Sequence, residues 1–231
     1  RGLGDVYKRQ VADLIPQILP GSADEFRLLT DAVGGKGYRQ IDINLGCPFP
    51  MIAGKHKGAG MLLYPAQVAE VLAPIAEYPE IQFSLKMRLG WENASECMVL
   101  VELLNALRLS RIALHARTGK QQYKGHPDLE AFQGFYELCQ HPLYYNGGIE
   151  SLSDIRQILI RFPLLKGVFI GRGLLSSPLL AKEFKGNETF LPEQRMSIYF
   201  AFHEELFSAY SQVLQGETQL LVKICLLYTS P

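Results

Sequence analysis

The residues able to do chemistry in this 231-residue chain sit at the ends of short apolar runs. In "DINLGCPFP", residues 42–50, one such run ends on Cys47, framed by Gly46 and Pro48. Glycine lets the chain turn sharply and proline fixes its exit, so the frame predicts a thiol projected from a strand end. The plainer alternative is a small buried hydrophobe. In "KMRLG", Lys86 and Arg88 stand two apart and fall on one side of an extended strand. A lysine there is costly to bury unless an anion or a ligand carbonyl meets it; solvated charge at a frayed strand end is the other reading. "LHARTG" repeats the spacing with His115 and Arg117. A lone histidine in such a place is commonly a hydrogen-bonded core residue, and the lysine one unit earlier shifts the balance toward a site. The triplets Asn146, Gly147, Gly148 and Gly171, Arg172, Gly173 follow the last two apolar runs. Glycines at adjacent strand ends let backbone N–H groups approach an anion, the pattern of a phosphate site late in a barrel.

These positions need elements to hold them. The runs "LIPQIL" (14–19), "RQIDINLG" (39–46), "IQFSLKMRL" (81–89), "RIALHA" (111–116), "LYYNGG" (143–148) and "KGVFIG" (166–171) read as six strands. Helical patterns separate them. Ser22 stands three before Glu25 as a capping box for a helix through Val33, and "PAQVAEVLAPIAEY" has apolar residues at helical spacing. Asn93 or Ser95 caps "SECMVLVELLNALRL", "DLEAFQGFYELCQ" follows Pro127, and Ser151 or Ser153 caps "DIRQILIRF". Strict alternation, with strands apolar enough to be covered on both faces, predicts a parallel α/β sheet. Gln17, Cys47, Lys86, His115, Asn146 and Gly171 all fall at or just past C-terminal strand ends. Such ends converge on one mouth in a barrel and spread along an edge in a doubly wound sheet, so the expectation is a (β/α)8 TIM barrel whose first two strands precede the visible six. After "SSPLLAKEF", with Pro178 suited to the first turn of a helix, "KGNETFLPEQ" reads as a linker. "RMSIYFAFHEELFSAYSQVL" then reads as an amphipathic helix, and "ETQLLVKI" as the start of another.

Composition narrows the class. Hydrophobic residues make up 48% of the chain, enough for one sizeable core. With 23 basic and 23 acidic residues the formal net charge is zero, so any surface for nucleic acid must be local. Cys47, Cys97, Cys139 and Cys225 form no CxxC pair, which argues against zinc or a secreted disulfide framework. Cys97 and Cys139 are expected in the core. No apolar run reaches the roughly 18 residues of a membrane span, and the start lacks a signal peptide's apolar core, so a cytoplasmic location is expected. Residues 1–10 and 225–231, "RGLGDVYKRQ" and "CLLYTSP", resemble foreign scars. Residues 11–186 are then the expected barrel and 187–224 the beginning of a helical domain.

In this order the segments "PQILPGS", "DINLGCP", "KMRLGW", "LHARTG", "YYNGGI" and "GVFIGRG" resemble the successive signatures of the tRNA-dihydrouridine synthases, from about Pro16 to Glu183. The resemblance implies a TIM barrel with a C-terminal tRNA-binding helical domain, FMN at the mouth, NADPH as reductant, a uridine of tRNA as substrate and a monomeric enzyme. It implies that Gln17 contacts the isoalloxazine, that Lys86 faces its N1 and C2 oxygen, and that His115 helps bind FMN. Asn44 would line the flavin and uracil site. Asn146, Gly147, Gly148, Gly171 and Arg172 would hold the phosphate end, and Cys47 would be the catalytic acid. A thiol of ordinary pKa, near 8.5, stays mostly protonated at neutral pH and suits that role. A base stacked in folded RNA must be turned out at a cost of a few kcal/mol, so backbone contacts are needed. Lys55 and Lys57 after Cys47, and Arg117, Lys120 and Lys124 after His115, would form a basic rim with Arg88 as a further RNA contact. "GKHKGAGMLL" resembles the family's glycine-rich loop, which would close over the substrate. Gly148 stands where the family shows an acid, "HART" replaces "HGRT", and the family's first two strands with their "PMAG" segment lie outside this sequence. Two alternatives remain: an FMN barrel acting on a free pyrimidine, as dihydroorotate or dihydropyrimidine dehydrogenases do, and an RNA-binding fragment without flavin.

Overall fold

The structure, a computed structural model, describes residues 14–211. The two terminal segments, Cys225 and the helix expected from "ETQLLVKI" lie outside those residues. Strands β1 (Gln17–Ile18), β2 (Gln40–Leu45), β3 (Gln82–Gly90), β4 (Leu109–Thr118), β5 (Leu143–Asn146) and β6 (Gly167–Phe169) stand at the six expected places. They form one sheet in the order β1-β2-β3-β4-β5-β6. The registered pairs from β1 to β5 are all parallel. A doubly wound sheet reverses its strand order at a switch point; here each strand is laid beside its predecessor in one direction. The fold is an arc of a (β/α)8 barrel.

Helices intervene as the caps dictate: α1 (Ala23–Gly34), α2 (Pro50–Ala53), α3 (Pro65–Leu72), α4 (Glu96–Ala106), α5 (Leu129–Leu138), α6 (Leu152–Arg161), α7 (Arg172–Ser176), α8 (Leu180–Gly186) and α9 (Pro192–Ser211). Ser22 Oγ accepts from the Glu25 N–H at 3.2 Å, but the Glu25 carboxylate returns to the Gly21 N–H instead of closing the box on Ser22. At α4 neither expected cap acts: the Glu96 carboxylate accepts from the N–H groups of Trp91, Glu92 and Asn93 and folds the preceding turn over the helix start. Asp128 caps α5 through the Ala131 N–H at 2.9 Å, and Ser151 and Asp154 close a full capping box on α6. Pro178 lies between α7 and α8, ahead of the helix it was expected to open.

The chain divides into two compact units, the first running to Gly147 and including Leu164–Val168, the second comprising Gly148–Pro163 and the residues from Phe169 onward. In the first unit the strands alternate strictly. Ile43, Leu85, Ile112 and Leu143 share one register row, and all are buried. Rings from two helices meet that face: Phe26 of α1 lies 5.3 Å from Phe83, and Phe132 of α5 meets Tyr145 edge-on at 4.9 Å. Buried Val68, Val71, Leu100 and Leu104 complete the helical faces of α3 and α4. The opposite face is polar, carrying Asp42, Asn44, Ser84, Lys86, Arg88, His115 and Asn146. This departs from strands covered by apolar contacts on both sides. In a barrel only the outer face meets helices, and the inner face near the strand ends is free to carry chemistry.

In the second unit, a Cβ on Gly173 would run into the Ile149 carbonyl, so glycine is needed where α7 begins. Helix α8 ends on Asn187 in the left-handed region (φ 48°), and the buried Glu183 carboxylate pairs with Arg195 of α9. Helix α9 begins three residues earlier than the sequence pattern indicates, and its Met196, Phe200 and Phe202 are exposed.

Candidate active site

Strand β2 ends in a side-chain-locked turn. Asn44 Oδ1 accepts from the N–H groups of both Gly46 and Cys47, each at 2.9 Å. This arrangement replaces the next ladder bonds and turns the chain off the sheet at Cys47. The Cys47 side chain is partly exposed. Behind it, the Ala59 N–H donates to the Cys47 carbonyl at 3.0 Å, and Gly58 adopts φ 56°. A Cβ on Gly58 would lie 2.9 Å from Cys47 Cβ. The segment Gly58–Leu63 is a 3-10 helix with Gly58 through Leu62 buried. The glycines of "GKHKGAG" therefore let a loop pack against the cysteine and support it.

Asn44 also donates from Nδ2 to Gln17 Oε1 at 2.7 Å, and Gln17 Nε2 donates to Asp42 Oδ2 at 2.6 Å. Ser84 Oγ donates to Asp42 Oδ1 at 2.6 Å. Neither Asp42 nor Ser84 was singled out from sequence. The signal was present, because in "IDINL" the polar residues alternate with Ile41, Ile43 and Leu45 and so share a face with Lys86.

Lys86 pairs in register with Asn44 and Ala113, and its ammonium has no hydrogen-bond or ion-pair partner among the described residues. Burial, then the neighbouring Arg88 charge, pull its pKa below the usual lysine range, while the charges of Asp42 and Cys47 oppose that shift. Such a cation is stabilised by a ligand that brings an acceptor or partial negative charge. Arg88, two residues further along β3, is buried and tied through two of its nitrogens: Nε donates to the Gly46 carbonyl at 3.0 Å, and Nη1 to the Thr118 and Gln122 carbonyls at 2.8 Å each. Its guanidinium also lies 5.6 Å from the centre of the Tyr123 ring. Arg88 thus ties the Cys47 strand end to the loop after β4.

His115 is buried beside Arg88 in register and abuts Gly147, where an added Cβ would lie 3.2 Å from the imidazole. Arg117 Nη1 lies 3.2 Å from His115 Nε2, and Nη2 donates to the Gly125 carbonyl. A guanidinium only donates, so His115 accepts at Nε2 and carries its proton at Nδ1. Asn146 pairs in register with His115. Asn146 and Gly147 belong to the first unit, Gly148, Gly171 and Arg172 to the second.

The expected basic rim is reduced by this geometry. Arg88 and Arg117 are buried because each closes a loop onto a strand, so neither is an exposed backbone contact. Lys57 binds Glu25 at 2.6 Å, and Lys120 binds Glu92 at 2.5 Å. Lys55 and Lys124 remain exposed without such a partner. Cys97 is core, with burial raising its thiol pKa to about 12; Cys139 is only partly buried, and its pKa is raised for the same reason. Among the described residues no group of three or more His, Cys, Asp or Glu could hold a metal ion, and no helix is long and apolar enough to cross a membrane.

Residues 8–221 match the family model described as Dihydrouridine synthase (Dus). The chain belongs to that family. Among dihydrouridine synthase relatives, a protein of Rhizobium leguminosarum bv. phaseoli named probable tRNA-dihydrouridine synthase is 32% identical over 139 residues, covering 60% of this chain and 44% of its own length. The tRNA-dihydrouridine synthase B of Vibrio vulnificus is 27% identical over 196 residues, 83% of this chain and 58% of the relative. The chain thus spans about half the length of these curated relatives. Among solved structures, morphinone reductase superposes with a TM-score of 0.53 at 14% identity, over 75% of this chain and 51% of that one. A variant of NCR from Zymomonas mobilis gives 0.50 at 14%, over 73% and 56%. At that identity the likeness concerns the barrel fold alone.

Proposed function

We propose that the protein to which this chain belongs is a tRNA-dihydrouridine synthase, reducing the C5–C6 double bond of a uridine in tRNA. The observation that carries the reading is the pairing of a partly exposed thiol, on a turn locked by Asn44, with the unpartnered ammonium of Lys86 on the same end of the sheet. Lys86 fits a flavin, whose N1 and C2 oxygen offer the acceptor this half-buried cation lacks. When bound, FMN supplies the hydride for uracil C6, with NADPH restoring it. Cys47 gives the proton to C5; Asn44, Gly46 and Pro48 hold the thiol where the base must arrive. Gln17 and His115 would border the flavin, with Asn146 and Gly147 at the neighbouring strand end. Lys55 and Lys124, with Lys120 and Lys57 through their ion pairs, face the RNA backbone.

The test is made on the full-length protein. Purification should give a yellow preparation with a flavin spectrum, and Cys47→Ala should retain that spectrum while losing dihydrouridine formation in tRNA. Unchanged turnover in Cys47→Ala would remove the proton-donor role, and reduction of free uracil or orotate in preference to tRNA would assign the barrel to a free pyrimidine.

A further inference from the structure

Asp42, on the site face, has no part in the chemistry above. We propose that Asp42 is a positioning residue, whose carboxylate sets, through Gln17 and Asn44, the polarity of a hydrogen-bond relay that fixes the turn presenting Cys47. The relay runs from Asp42 Oδ2 to Gln17 Nε2 (2.6 Å), from Gln17 Oε1 to Asn44 Nδ2 (2.7 Å), and from Asn44 Oδ1 to the N–H groups of Gly46 and Cys47 (2.9 Å each). Its two ends have opposite and fixed character. A carboxylate only accepts, and backbone N–H groups only donate. Each carboxamide between them can turn over to exchange its oxygen and nitrogen, so each carries the polarity of one end to the other. Asp42 itself is oriented by Ser84 Oγ on the neighbouring strand, a buried donor 2.6 Å from Oδ1. With both ends satisfied, only one orientation of Gln17 and Asn44 leaves no polar atom opposed to its like.

The relay spans β1, β2 and β3, and its last acceptor does what a ladder bond cannot do at a strand end. It holds two successive N–H groups while Pro48, which has no N–H, leads the chain away. Reversing Asn44 would place an NH2 group against the Gly46 and Cys47 amides, and the turn would open. Gln17 is exposed, so packing alone does not hold its amide. The charge at 42 does.

The consequence for catalysis rests on Cys47 as proton donor; the relay does not, and the experiment separates them. Amide hydrogen exchange of Gly46 and Cys47 is followed in this chain by NMR or peptide mass spectrometry. Asp42→Ala should accelerate both amides by about tenfold or more, the size expected from loss of one net hydrogen bond. Asn44→Ala, which removes the acceptor of both amides, should do likewise. The exchanged pair, Asp42→Asn with Asn44→Asp, restores a satisfied relay of reversed polarity: the new carboxylate at position 44 accepts from both amides and from Gln17, which in turn accepts from the new carboxamide at position 42. It should recover protection to near the parent level. Protection unchanged in Asp42→Ala, or an exchanged pair no better protected than Asp42→Ala, overturns the proposal. In the full-length enzyme Asp42→Ala should lower kcat with the KM for tRNA and the bound-flavin spectrum unchanged. A parallel rise in KM with kcat unchanged would also overturn it. If the exchange results hold and Cys47→Ala still turns over, the relay stands and the catalytic reading fails.

Discussion

Replacing Arg88 with lysine separates two roles that the strand pattern leaves equal. As an RNA contact, Arg88→Lys keeps its charge, leaves stability unchanged and preserves most of the electrostatic binding. As a buried tie between loops, it cannot be exchanged. The guanidinium donates in two directions at once, to the Gly46 carbonyl at 3.0 Å on one side and to Thr118 and Gln122 at 2.8 Å on the other. A lysine ammonium is a single point on a flexible stem and reaches one of those sides. Either the buried Gly46 carbonyl or the part-buried pair from Thr118 and Gln122 then loses its donor, at about 1–3 kcal/mol for that side, with roughly 0.5–1 kcal/mol more from the contact with Tyr123. Allowing for relaxation, the loss is roughly 2–4 kcal/mol. For a chain of this size that corresponds to a fall in Tm of roughly 5–15 °C. Calorimetry or circular dichroism on the apo chain reads this number. A Tm within a degree or two of the parent would refute the buried-tie reasoning and return Arg88 to the RNA surface.

Lys55→Ala and Lys124→Ala should each reduce the salt slope of tRNA binding by about 0.7–0.9, the contribution of one phosphate contact, whereas Lys57→Ala should change the slope less because Glu25 already holds that ammonium. Lys86→Met should weaken flavin binding in the full-length protein yet stabilise the apo chain at neutral pH. The sign follows from the lowered Lys86 pKa: between its folded value and the usual 10.5 the unfolded state binds the extra proton, so the parent gains stability as pH rises toward 10.5. Denaturant titrations from pH 7 to 10.5 should show that gain in the parent and its loss in Lys86→Met; parallel curves would contradict the burial of an uncompensated ammonium. Gly58→Ala should cost about 1–2 kcal/mol from the left-handed backbone alone, and more as its Cβ meets Cys47. Urea unfolding measures it, and an unaffected midpoint would mean that the loop does not support Cys47 as described.

What the sequence could show follows from what a strand fixes by itself. Extended backbone has a period of two, so the alternations "DIN", "KMR" and "HAR" already put Asp42 with Asn44, Lys86 with Arg88 and His115 with Arg117 on shared faces. Six apolar runs separated by capped helices likewise specify a parallel sheet before any coordinate is known. Depth along the site face is another matter, because it is set by loops that the strand pattern does not contain. Arg88 and Lys86 are equivalent in spacing, yet Arg88 is capped by the carbonyls of Thr118 and Gln122, thirty or more residues away in the chain, and Lys86 is capped by nothing among the described residues. The same holds for Arg117, drawn inward by the Gly125 carbonyl. A charge on a strand is therefore legible as belonging to a face; whether it binds a ligand or closes a loop depends on which carbonyls the following turns deliver to it. In this chain the residue two positions nearer the N-terminal end of β3 is the one left open to a ligand, so the candidate flavin contact is fixed as much by where the β4 loop folds as by the lysine itself.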